Sequence, residues 1–244
     1  LGYLTLLRGS STLSGGESQR ISLSTCLGSA LVGSTYVLDE PSIGLHPQDT
    51  HRLISVLYGL RDKGNTVVVV EHDDEIMAAA DNLIDMGPQA GSFGGEVVFS
   101  GNHAKLKKLP VHHNSLTAAY LTGRLEIATP KVRRKSNDAI VIKGARANNL
   151  QGFKAEFPLR CLVAVTGVSG SGKSTLVSEL LVPAVKAKIS DLPPFAQGLD
   201  GIEGNSGTIS SLEFIDQNPI GKSSRSCPVT YVKAFDEIRS LLSG

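Results

Sequence analysis

The octapeptide Gly167–Ser174, GVSGSGKS, lies between an apolar run at 161–166 and the helix-prone stretch STLVSELLVPAVKA. No other feature constrains the fold as strongly. A strand that feeds a glycine-rich turn and then a helix points successive backbone N–H groups at one anion, at the positive end of the helix. Gly167, Gly170 and Gly172 leave room for a phosphate, Lys173 bridges terminal phosphates, the Ser174 hydroxyl can ligate Mg2+, and Thr175 opens the helix. The plain alternative is a flexible Gly/Ser turn, and the strand and helix on either side argue against it.

The rest of the chain alternates in the way such a loop requires. Residues 17 to 31 predict a helix, with Ile21, Leu23, Leu27 and Leu31 at mixed helical spacing, and TYVLDEP predicts a buried strand closed by Pro41. DTHRLISVLYGLRDKGN predicts a second helix with Leu53, Leu57 and Leu60 on one face, stopped by Gly64. TVVVVEH then supplies four consecutive valines, the pattern of a strand covered on both faces. Strand, helix, strand implies a parallel sheet. Between Gly87 and Gly101 a small hairpin is expected, HAKLKKL reads as a short helix, and 122–138 is polar and basic enough to be a linker. The tail YVKAFDEIRSLLS is amphipathic and helical.

Further strings carry chemistry. In LSGGESQR, Ser14 and Glu17 form a capping box, while Gly15 and Gly16 leave helix-terminal N–H groups open to an anion arriving from outside. Asp39 and Glu40 end a strand, so one carboxylate can attend Mg2+ through water and the next can position or activate an attacking water. Acidic residues before a proline turn are common, and the pair gains force only from the LSGGE string ahead of it. His72 directly follows the valine strand, where an imidazole can sense a terminal phosphate or merely be solvated. Gln217 in DQNPIG offers a metal or water contact, although Asn218–Pro219 is also an ordinary turn. The basic residues Lys131, Arg133, Arg134 and Lys135, with Lys105, Lys107 and Lys108, read as a solvated linker more readily than as DNA contacts.

Charge excludes little, since 24 basic residues against 23 acidic leave a net +1. Three scattered cysteines without a CxxC pair support neither a disulfide framework nor a zinc cluster, and His112 and His113 lack ligands at a recognisable spacing. A reducing cytosol is expected, and no apolar run has the length of a membrane span. The chain begins at Leu1, which suggests a fragment or a processed product.

Taken together the strings resemble the ATP-binding cassette (ABC) class of P-loop NTPases. LSGGESQR matches its signature, TYVLDEP its Walker B, SIGLH its D-loop, His72 its switch histidine and GVSGSGKST its Walker A. The wording LGYLTL, STLSGGESQRI, VLDEPSIGLH, GNTVVVVEHD, ARANNL and IDQNPIGKSSRS narrows the resemblance to the damage-sensing subunits of bacterial nucleotide excision repair, along nearly the whole chain. Such proteins carry two cassettes in tandem, which explains why a signature precedes a Walker A. The resemblance implies an α/β fold of two partial cassettes with mixed and parallel sheet plus small antiparallel elements. Residues 1–128 would end the first cassette, 129–138 form a basic linker and 139–244 begin the second.

It also implies ATP and Mg2+ as cofactors. Glu40 and His72 would be catalytic, with Ser174, Asp39 and Gln217 around the metal. Gly167, Gly170, Gly172, Lys173, Ser174, Thr175 and Gln217 would hold nucleotide from one side; Ser14, Gly15, Gly16 and Glu17 would close the pocket from the other. Asp39, Glu40 and His72 would belong to a second pocket whose P-loop is absent, so the isolated chain is expected to hydrolyse ATP feebly or not at all. Implied partners are damaged double-stranded DNA, a nuclease subunit that such a protein loads at lesions, docked through an insertion absent here, and a second copy of the full-length protein; no membrane is implied. The family's zinc module has paired cysteines that this chain lacks. A less direct arrangement would pack the two halves as one permuted hybrid cassette, with Asp39 near Lys173. The competing functions are the ATPase of a transporter or chromosome-maintenance complex, and a catalytically silent interaction module.

Overall fold

The computed structural model describes residues 7, 9, 17, 18, 21, 24, 25, 31–192, 198–204, 209–215, 228–231 and 233–243. Ser14, Gly15, Gly16, Gln217 and most of the helix expected over 17–31 lie outside them; the described positions 17, 18, 21, 24 and 25 are helical.

The first unit is a strand–helix–strand turn of chain. β1 (Thr35–Asp39) and β2 (Thr66–Val70) pair in parallel, with Tyr36 opposite Val67 and Asp39 opposite Val70. α1 (Pro47–Asp62) connects them. It starts where His46 accepts the Gln48 N–H and Pro47 presets the first helical φ, and it ends where Gly64 takes φ +85°. Leu53, Leu57 and Leu60 are buried, as their spacing predicts. Leu53 and Leu57 meet Ile76 from α2 (Asp74–Ala79) over Leu38, Val67 and Val69. Each buried leucine stabilises the layer by about 1.5–3 kcal/mol. Buried Asn65 ties the ends together, donating to the carbonyls of Leu31 and Leu60 and accepting the Ser34 N–H at 3.0 Å.

One expectation fails here. The valine strand is covered on one face only, because Val68 and Val70 stand 45% and 55% exposed, beside Val37 at 69%. Period-2 alternation puts these three on the face away from α1, and nothing among the described residues packs over it.

β3 (Leu83–Gly87) and β4 (Glu96–Gly101) form the expected hairpin, followed by the short helix α3 (His103–Leu106). α4 (Leu116–Leu121) is clamped to the hairpin by Asp85, which accepts the Ser115 and Thr117 hydroxyls at 2.6 and 2.7 Å. Residues 123–137 contain no helix or strand.

The last large unit is an antiparallel sheet in the order β6–β5–β7, from β5 (Ala139–Ala145), β6 (Phe153–Pro158) and β7 (Gly201–Glu203). Ile142, Ala145 and Leu150 bury against Leu176 and Leu180 of the helix that follows the glycine loop. That helix opens as a π-helical segment, Thr175–Leu181, with the Val182 N–H reaching back to the Val177 carbonyl, and continues as α5 (Val182–Ile189). Pro183 lacks the N–H an α-helical turn would use, and the wide turn ends where it enters. Two short helices, α6 (Pro228–Tyr231) and α7 (Ala234–Leu242), complete the described chain.

A second expectation also needs correction. Residues 161–166, read as a strand, run without a ladder partner among the described residues, and Leu162 is fully exposed. Among the described residues β1 pairs only with β2. The strand contact that a hybrid cassette needs is therefore not made among the described residues. An apolar run still marks a strand position, but a parallel strand is stable only between neighbours, and the described residues offer it none.

Candidate nucleotide site

The loop between 166 and 175 has a backbone that can accommodate an anion. Gly167, Gly170 and Gly172 take φ of +145°, +79° and +97°, a region costly for other residues. A Cβ on Gly172 would lie 2.6 Å from Leu150 Cδ2 and 2.9 Å from Asn149 Oδ1, so the loop rests directly on the Asn149–Leu150 segment. The Lys173 ammonium is folded into the loop, donating to the carbonyls of Gly167 at 2.8 Å and Val168 at 2.9 Å. The Ser171 N–H donates to the same Val168 carbonyl. Ser174 is exposed, and its hydroxyl makes no hydrogen bond among the described residues. Thr175 is buried; its hydroxyl accepts from Asn148 Nδ2 at 3.1 Å and faces Glu179.

These residues fit a phosphate. The fit rests on a glycine-lined backbone that no Cβ obstructs, an ammonium already inside it and an exposed hydroxyl at its edge. They also fit Mg2+ in the manner of nucleotide sites, where the cation is held by one or two protein oxygens together with phosphates and water. No group of three or more His, Cys, Asp or Glu side chains among the described residues forms a metal cage of its own.

Asp39, Glu40 and His72 come together at the C-terminal ends of β1 and β2. Asp39 closes β1 and is exposed. Glu40 takes φ +43°, an unfavourable left-handed conformation for a glutamate, while its N–H donates to the Val70 carbonyl at 2.9 Å. The turn thereby aims the Glu40 carboxylate toward His72, whose Nδ1 is 3.7 Å from Glu40 Oε1. His72 is largely exposed, open to a ligand approaching from solvent. Among the described residues no hydrogen bond or ion pair joins these three to the glycine loop. Glu17 is fully buried, and the rest of its helix opening lies outside the described residues.

No family model matches the chain. UvrABC system protein A of Staphylococcus epidermidis is 52% identical over 244 residues, a match that takes in 100% of this chain and 25% of that protein. The same protein of Thermus thermophilus is 52% identical over 247 residues, with the same shares. The crystal structure of UvrA2 from Deinococcus radiodurans matches with a TM-score of 0.88 and 45% identity, covering 99% of this chain and 28% of that one. This chain is similar to UvrA along its whole length.

The UvrA-like chain spans about a quarter of the length of the curated relatives it matches, and over that stretch its α/β fold is that of UvrA2. Two features of it escape a reading of motifs. The first is Glu71, whose carboxylate accepts the Ser42 N–H at 2.8 Å, the Ser42 hydroxyl at 2.9 Å and the N–H groups of His72 and Asp73. It joins the turn after Glu40 to the turn carrying His72. The second is the pair Asn148–Asn149 at the end of β5, which touches both the glycine loop and the first turn of its helix. Neither belongs to a chemical motif; the only signal was position, Glu71 beside His72 and the asparagines within ARANNL.

Proposed function

We propose that this chain is a nucleotide-binding stretch of a tandem-cassette, UvrA-type ATPase that senses damage in double-stranded DNA. The observation that carries the reading is the glycine loop with Lys173 inside it, on the fold shared with UvrA2. In this reading Lys173 leaves the Gly167 and Val168 carbonyls for the terminal phosphates of ATP, and the Ser174 hydroxyl faces Mg2+. Bound Mg2+ neutralises charge developing on the transferred phosphoryl group. Glu40 positions or activates the attacking water and His72 senses the terminal phosphate, in the pocket whose P-loop comes from chain outside this stretch. Ser14, Gly15, Gly16 and Glu17 close the pocket around Lys173, where Gln217 attends the metal, and Asp39 attends the metal of the other pocket, beside Glu40 and His72.

The whole protein would act in the cytoplasm as a homodimer and hand the lesion to a UvrB-like partner through parts this chain lacks. Among the described residues no helix is long and apolar enough to cross a membrane. Titration calorimetry of the chain with Mg-ADP and a non-hydrolysable ATP analogue tests the proposal. Binding by the wild type and its loss in Lys173→Ala are expected; equal affinity in the two proteins would refute the site. Hydrolysis should stay near background, and robust turnover that Lys173→Ala abolishes would refute the division of the two pockets.

A further inference from the structure

The phosphate loop does not hold its own shape. Its internal bonds are few: Ser171 N–H to the Val168 carbonyl at 3.2 Å, and the two from Lys173, which a nucleotide must break. What fixes it from outside is Asn149, whose Nδ2 donates to the Gly170 carbonyl at 3.0 Å. The same carboxamide has its Oδ1 beneath Gly172, so both ends of the side chain face the loop. Only Nδ2 can donate to a carbonyl, which settles the amide's orientation. Asn149 is itself anchored on both sides. Leu150 is buried in the core with Leu176 and Leu180, and Asn148, at φ +51°, donates to Thr175 Oγ1 and to the Glu179 carboxylate.

We propose that Asn149 is a positioning residue for nucleotide binding: by drawing the Gly170 carbonyl outward it turns the Gly170–Ser171 peptide so that the Ser171 N–H faces the interior of the loop. The geometry follows from peptide planarity, because in a trans peptide the carbonyl and the next N–H point to opposite sides. The observed Ser171 N–H is directed inward, onto the Val168 carbonyl that Lys173 also occupies. An anion displacing those contacts finds the amide already aimed and loses little freedom in using it. Without Asn149 the peptide can turn over, its carbonyl oxygen facing the phosphate. The inference rests on the nucleotide reading above and adds a residue to it that makes no contact with the ligand.

The test has two arms. In the first, Mg-ADP and a non-hydrolysable ATP analogue are titrated into wild-type chain, Asn149→Ala and Asn149→Asp. Asn149→Ala should weaken both nucleotides by the same factor, roughly three- to tenfold, as loss of one preorganising hydrogen bond requires; Asn149→Asp should weaken them more, because it places a carboxylate against the Gly170 carbonyl. Unchanged affinity, or a loss confined to the ATP analogue, overturns the inference, since both nucleotides carry the β-phosphate. In the second arm, amide exchange is followed in the nucleotide-free chain. Ser171 should exchange at least several-fold faster in Asn149→Ala while amides of the β5–β6 ladder keep wild-type rates; an unaltered Ser171 rate, or equal acceleration throughout the sheet, overturns it. Failure of the wild type to bind nucleotide would sink the ATP reading alone, and the exchange arm would still judge Asn149.

Discussion

At the scale of single residues, the site at the ends of β1 and β2 depends on a carboxylate that motif reading passes over. Glu71 is half-buried and takes both donors of Ser42, so the turn bearing Glu40 and the turn bearing His72 move as one piece. Truncating it leaves the Ser42 N–H without its acceptor and frees the backbone between them. Glu71→Ala is expected to lower the unfolding free energy by about 2 kcal/mol, the scale of hydrogen bonds to a charged group, as read from urea midpoints. Ser42→Ala should cost less, because its N–H remains. The double variant should then cost less than the sum of the two, since the residues share one interaction; additivity would show that they do not act together. Glu40 illustrates the opposite case. Its identity as an acidic residue at a strand end is plain from the sequence, yet the left-handed φ that directs it at His72 is a property of the turn and leaves no mark on composition.

At the scale of elements, the legible parts are those whose stability is local. α1 follows from leucine spacing, His46–Pro47 and Gly64, and the hairpin from its flanking glycines, because caps, turns and one covered face act within a few residues. Residues 161–166 depart from the expected strand for the converse reason: an apolar run states what a segment would bury, and pairing depends on a neighbour it does not contain. The three-stranded sheet allows a pH prediction. Glu203 on β7 is held below its ordinary value near 4.5, first by a hydrogen bond from Lys143 on β5, then by the charges of Lys143, Lys154 and Lys188. A depressed carboxyl contributes stability above its unfolded value, and the contribution disappears as pH falls through the folded one. Wild type should therefore exceed Glu203→Gln in urea midpoint at pH 6 and above, with the gap closing below roughly pH 4. A gap that persists at pH 2.5 would mean that the pair contributes nothing by charge. At the joint between β5 and β7, Gly144 sits at φ +66° under the Asp200 carboxylate, which also pairs with Arg146, and a Cβ there would collide with it.

At the scale of the whole molecule, the residues of the two pockets stand in separate groups of contacts, one around Glu40 and His72 and one around Lys173. The sequence showed both groups and their reversed order. It could not show the bare sheet face, since four valines encode the demand for a second layer and say nothing about which chain supplies it. Val37, Val68 and Val70 together leave an apolar patch of the kind that marks an interaction surface. A fluorescent apolar dye should bind the folded chain, and Val37→Thr with Val68→Thr should reduce its signal while leaving α1 helical by circular dichroism; undiminished signal would place the sticky surface elsewhere. The same patch has a practical corollary for anyone handling this stretch of polypeptide. Because removal by coalescence is second order in protein, shelf life should shorten steeply as stocks are concentrated, and dilution should preserve a preparation better than chilling, which weakens folding forces as well as clumping.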